Sequence, residues 1–170
     1  MGFLLRRTRS SKLLDFLAFS VIIVAMLGLL WLLPEPVSES VAGAPRVIDG
    51  DSLRVHGRNI RLLGIDAVER DQTCRRNGAE WPCGAEAARA LRNRLQGKLV
   101  TCSGNEHDKH DRLLAICRIG KDDINRWLVR QGWAVSYGRY MTDEDAAKRA
   151  RRGIWSGTFV APLDWREGAR

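Results

Sequence analysis

The order of its segments predicts an α+β domain built on a small barrel: strands, a helix, strands, then two further helices. Three observations carry that expectation. "RVIDGDSLRVHGRNIRLLGI" alternates apolar and polar residues around two turn signals, Asp49-Gly50 and His56-Gly57, as successive antiparallel strands do. "GAEAARALRNRLQG" places Ala85, Ala88, Leu91 and Leu95 at helical spacing and closes on Gly97. The apolar segments "KLVTCSG" and "LLAICRI" bracket the polar loop "NEHDKHDR", a pattern of two neighbouring strands.

The chain has 170 residues and a net charge of +8, room for one compact domain and an appendage. Arg6, Arg7, Arg9 and Lys12 precede an apolar run from Leu13 to Leu33, interrupted only by Asp15 and Ser20. That run predicts a single transmembrane helix over 13–33, with the basic segment 1–12 in the cytoplasm and the remainder outside the inner membrane. A cleaved signal peptide is the alternative, since "VAGAP" offers small residues at Ala42 and Ala44, although Pro45 is a poor residue after a cleavage point. Three of the five prolines fall in "PEPVSESVAGAP", so 34–45 reads as a linker and the folded domain as 46–157, followed by an extension over 158–170.

Within the domain, "DDINRWLVRQG" predicts a second helix capped by Asp122 and stopped by Gly132. A third begins at Thr142, where Thr142 and Asp145 stand at capping-box spacing, and ends by Gly153. Trp127, Trp133 and Trp155 fall in apolar contexts and are expected in the core, and Phe159 and Trp165 are expected to pack back on the domain. Cys74, Cys83, Cys102 and Cys117 contain no C-x2-C pair, which disfavours zinc, and His107 and His110 do not change that. Disulfides Cys74–Cys83 and Cys102–Cys117 are expected, as an oxidising periplasm permits; buried free thiols are the alternative. Segment 1–44 holds four basic and three acidic residues, so most of the positive charge belongs to the domain and is compatible with a polyanionic ligand.

Three short pieces could carry chemistry. In "DGDS", Asp49 and Asp51 flank a glycine, and a tight bend could turn carboxylates toward one hard cation; an ordinary turn is the plainer reading. In "RLLGIDAVERD", Arg61 and Asp66 are five apart and face opposite sides of a regular strand, so a shared site requires the strand to end or bulge at Gly64. Arg112 leads into the apolar strand after "HDKHD". Guanidinium groups and a cation can bind a phosphate and stabilise the charge that builds as water adds to phosphorus, and a carboxylate can take that water's proton. On spacing alone, a basic barrel that only binds is the plainer reading.

"VIDGDS", "IRLLGIDAVE", "DKHDR", "LVRQGWA" and "RRGIW", in this order over about residues 46–155, resemble the staphylococcal nuclease family. The resemblance implies a five-stranded oligonucleotide/oligosaccharide-binding barrel with three α-helices, and a calcium-dependent phosphodiesterase of DNA and RNA that prefers single strands and leaves 3′-phosphate ends. It implies Asp51, Asp66 and the main-chain carbonyl of Ala67 as calcium ligands, Glu69 as general base, and Arg61 and Arg112 as phosphate-clamping arginines. Tyr137 and Tyr140 resemble its nucleotide-stacking tyrosines. Two departures stand out: His110-Asp111 replaces the usual tyrosine-glycine before the second arginine, and Val68 replaces the proline before the glutamate, which suggests a looser loop. A monomer is expected. A non-catalytic, membrane-anchored binding module is the competing expectation.

Overall fold

The structure, a computed structural model, describes residues 9–31 and 38–169. It divides into two compact units, Met1–Pro36 and Val37–Arg170.

The first unit contains helix α1 (Arg9–Trp31), whose residues 15–29 are all exposed. Among the described residues no helix is long and apolar enough to cross a membrane. Arg9, Lys12 and Asp15 occupy its first two turns, and mostly apolar residues follow from Phe16 to Trp31. The span expected over 13–33 extends to Leu32 and Leu33, which, with the segment 1–8, lie outside the described residues.

The second unit begins earlier than the linker expectation allowed. Glu39–Gly43 forms β1, pairing antiparallel with a later strand through Val41 opposite Cys102. Its alternating burial, with Val41 against the core, outweighs the small residues and the flanking Pro45 that made the segment read as linker. There follow β2 (Pro45–Asp49), β3 (Ser52–Val55), β4 (Arg58–Leu62), β5 (Ile65–Ala67), the hairpin β6 (Cys74–Arg76) and β7 (Ala79–Trp81), helix α2 (Cys83–Leu95), β8 (Val100–His107), β9 (Leu113–Ile119), β10 (Asp122–Asp123), α3 (Ile124–Arg130), β11 (Ala134–Ser136), α4 (Met141–Arg149), a 3-10 turn at Gly153–Ser156, and α5 (Pro162–Arg166).

Six strands run in the order β1-β8-β9-β4-β3-β2, with β10 added on β9; β5 pairs with β11, and β6 with β7. The five-stranded barrel is thus corrected to a curled, seven-stranded half-barrel with open edges at β1 and β2. Bulges between Val47 and Asp49 and between Ser103 and Glu106 supply local bends. The β4–β9 pair is the parallel one, setting Ile60 opposite Leu113, while β3 sets Ser52 opposite Arg61. This register brings Arg61, Ser52 and Arg112, the residue before β9, to one end of the sheet.

The main core joins Leu53, Ile60, Leu62 and Leu113 of the sheet to Leu91 and Leu95 of α2 and Leu128 of α3, with Trp127 and Trp133 packed against it. A second cluster holds Val68, Cys74, Cys83, Ala87 and Ile154, flanked by Trp155 and Phe159, whose rings meet edge to face at 4.9 Å. Both expected disulfides form. Three helix details differ from expectation. The buried face of α2 uses Ala87 where Ala85 was expected. Asp123 rather than Asp122 caps α3, its carboxylate accepting from the Arg126 N–H at 2.9 Å, because Asp122 is drawn into β10 and pairs with Ile119. α4 starts at Met141 after Tyr140, so Thr142 lies inside the first turn and caps nothing.

Candidate functional site

Asp51 follows the β2–β3 bend and is buried. Its carboxylate accepts from the Ser52 hydroxyl at 2.9 Å and the Ala67 N–H at 3.3 Å, and faces Arg61 Nη2 at 3.2 Å. Burial pushes the Asp51 pKa up, opposed by the Arg61 charge and then by the Ser52 and Ala67 hydrogen bonds. The same Arg61 nitrogen donates to Asp66 Oδ1 at 2.8 Å. Gly64 between them has φ +79°, the left-handed turn that lets β4 end and β5 restart with Asp66 on the side of Arg61. The strand break that the spacing required is therefore present.

Glu69 lies two residues beyond β5, and the loop carrying it is anchored rather than loose. Val68 is buried in the second core cluster. Gln72, fully buried, accepts the Glu69 N–H at 3.1 Å and donates to the Val160 carbonyl at 2.7 Å. Gly84, in the first turn of α2, stands so close that a Cβ there would meet the Glu69 carbonyl at 1.7 Å, which excludes any other residue without backbone movement. Replacing Gln72 with alanine strips partners from the Glu69 N–H and the Val160 carbonyl. Urea denaturation is expected to show a loss of about 2 kcal/mol.

Arg112 Nε donates to Asp108 Oδ2 at 2.7 Å, and its Nη1 to the Ser52 hydroxyl at 3.3 Å. That hydroxyl in turn bonds Asp51, so the second arginine is linked to the acids through serine. Burial raises the Asp108 pKa, but hydrogen bonds from the Arg112 side chain and from the Arg112 and His110 N–H groups outweigh it and bring the pKa down to about 2. Asp111 sits at φ +58°, the conformation that a glycine adopts more readily. The carboxylate that engages Arg112 is that of Asp108.

Asp51, Ser52, Arg61, Ala67, Glu69 and Arg112 line one open cleft of about 840 Å³, together with Lys109, His110, Leu163 and Arg166. The tyrosines are not part of it. Tyr140 packs on the main core, caps α4 from a left-handed conformation and donates its hydroxyl to Asp123 at 2.9 Å. Burial, and then that hydrogen bond, raises its pKa. Tyr137 is 80% exposed outside the cleft.

Arg166, which the sequence reading did not single out, enters from α5. Its Nη1 donates to Asp66 Oδ1 at 3.0 Å and Glu69 Oε1 at 2.7 Å, and its Nη2 to Asp66 Oδ2 at 2.8 Å. Nothing in the tail's spacing marks it; an arginine in "LDWREGAR" reads as a solvated charge.

The donors fit a hard cation in kind: two carboxylates converge on a single Arg61 nitrogen, and the buried Asp51 charge favours a cationic neighbour. As arranged, guanidinium groups already fill that role, and among the described residues no group of three His, Cys, Asp or Glu side chains is placed to hold a metal ion.

The family model described as "Staphylococcal nuclease homologue" matches residues 59–157. The succinoglycan biosynthesis protein ExoI of Rhizobium meliloti is 35% identical over 126 residues, 69% of this chain and 66% of that protein. The thermonuclease of Staphylococcus hyicus is 31% identical over 126 residues, 65% of this chain and 73% of that protein. The probable endonuclease LCL3 of Clavispora lusitaniae is 31% identical over 113 residues, 57% of this chain but 47% of that protein, so the chain spans about half of that relative's length. With an α+β half-barrel in place, acids and arginines gathered at one end of its sheet, and a family model covering most of the folded unit, the chain belongs to the staphylococcal nuclease homologue family.

Proposed function

We propose that the protein is a calcium-dependent phosphodiesterase that cuts DNA and RNA, preferring single strands. The observation that carries this reading is the convergence of Asp51, Arg61, Glu69 and Arg112, from separate parts of the chain, on one cleft, with Asp66 paired to its lining residues Arg61 and Arg166. Relatives named thermonuclease and endonuclease support it.

Asp51, Asp66 and the Ala67 carbonyl would hold calcium, which when bound supplies Lewis-acid polarisation of the phosphate. Glu69 removes a proton from the attacking water, whose oxygen bonds to phosphorus while the bond to the 5′ oxygen breaks. The leaving 5′ oxygen takes a proton from solvent, and the product carries a 3′-phosphate. Arg61 and Arg112 stabilise the negative charge that gathers on the phosphate oxygens. Arg46, Arg54, Arg70 and Arg92 line a separate shallow hollow of about 340 Å³ with no carboxylate among its walls, which suits a substrate whose phosphates continue past the reaction centre. The two disulfides support a location in an oxidising compartment such as the periplasm.

One assay tests the activity. The purified chain is expected to digest denatured DNA with calcium present and to leave it intact in chelator. Strand binding without cutting in both conditions would instead establish the non-catalytic module.

A further inference from the structure

The Arg166 contacts reach beyond tail docking. The extension is already fastened upstream by the Gln72–Val160 hydrogen bond, by paired main-chain bonds between Arg75 and Thr158, and by the Trp155–Phe159 ring contact. α5 then carries Leu163 and Arg166, one turn apart, to the cleft. There the guanidinium covers both oxygens of Asp66 and reaches Glu69, while Arg61 holds Asp66 Oδ1 from the other side.

Charge makes the arrangement specific. Three carboxylates, Asp51, Asp66 and Glu69, face two guanidinium groups, Arg61 and Arg166. Without Arg166 the surplus at the centre is two negative charges, which matches a divalent cation. With it the surplus is one, and a cation approaching Asp66 meets a fixed positive group within hydrogen-bond reach of its ligand. Arg61 cannot play the same part, because it also neutralises the buried Asp51, whose ionised form burial disfavours. The Arg166 side chain is 36% exposed, so it can leave for water, and the ion pairs it gives up in leaving oppose cation binding.

We propose that Arg166 is a resident counter-ion of the reaction centre. It holds Asp66 and Glu69 until a divalent cation displaces it, and it thereby sets the affinity of the site for that cation. This inference rests on the calcium reading of the same carboxylates.

Calorimetric titration of the full chain with calcium, without nucleic acid, tests it. Arg166→Ala is expected to bind calcium about tenfold more tightly than the parent, and the control Arg130→Ala, an exposed arginine on α3, within about twofold of it. Arg166→Gln, which keeps a polar but uncharged side chain, should follow Arg166→Ala and serves if the alanine variant does not fold. In the parent, the Arg166 side-chain NMR signal should shift as calcium saturates. Equal calcium affinity in parent and both variants would overturn the inference while leaving the calcium reading in place. Absence of calcium binding in every protein would overturn that reading and this inference with it.

Discussion

Turnover of single-stranded DNA by Glu69→Gln is expected to fall by about 100- to 10,000-fold, with the melting temperature shifted by no more than about 2 °C. Glutamine keeps the shape of the side chain and can still accept a hydrogen bond from Arg166, but it cannot take a proton from water near neutral pH. The fold does not depend on the charge. What places this residue is bonding of its main chain, the Glu69 N–H to the Gln72 side-chain oxygen and the Gln72 N–H back to the Glu69 carbonyl at 2.9 Å, and neither involves the carboxylate. The lost ion pair with Arg166 is partly exposed and contributes little to stability. Steady-state kinetics should therefore show the deficit in kcat, with KM for the strand changed by severalfold at most, because the substitution leaves Arg61, Arg112 and the basic hollow in place for the proposed phosphate contacts. A Glu69→Gln protein with parental kcat would remove the general-base assignment and leave a water activated by another group.

Much of this arrangement was legible because the informative signals were local. Alternation around Asp49-Gly50 and His56-Gly57 specified β2, β3 and β4, since a one-residue slip would turn Leu53, Val55 and Ile60 to solvent. The need for a break at Gly64 followed from strand period alone. Other features depend on contacts that no window of sequence contains. The parallel pairing of β4 with β9 joins Ile60 to Leu113 across a long connection, and without it Arg112 has no reason to lie near Arg61. Gln72 sits in "ERDQT", which by composition is a solvated loop, yet it is fully buried between the Glu69 loop and the tail. Arg166 meets Asp66 a hundred residues away. Adjacent acids concealed the cap of α3, because Asp122 and Asp123 are interchangeable by residue type and only the β9–β10 pairing decides between them. Tyr140 carries a related ambiguity: a hydroxyl near a helix start can serve a ligand or a neighbouring acid, and here it donates to Asp123.

Replacing Cys102 and Cys117 together by alanine is expected to destabilise the folded unit by about 3 kcal/mol, the chain-entropy value for a 15-residue loop. The paired cysteines stand directly opposite each other on β8 and β9, fully buried, and Val41 of β1 lies across from Cys102 on the other flank. The bond therefore ties together the strands on which the edge strand β1 is laid, and β9 continues into the parallel pairing that sets Arg112 beside Ser52. Cys74–Cys83 closes a shorter loop, about 2.6 kcal/mol by the same relation, but its effect is placed differently. Cys83 opens α2 directly before Gly84, which packs closely on the Glu69 carbonyl. Two outcomes should separate the bonds. Loss of Cys102–Cys117 lowers the urea midpoint more, while below that midpoint kcat stays near the parental value. Loss of Cys74–Cys83 costs less stability but lowers kcat in the folded protein, because the loop carrying Glu69 gains freedom. Equal effects of both on kcat would show that Glu69 is positioned by the sheet and by Gln72 rather than by the start of α2.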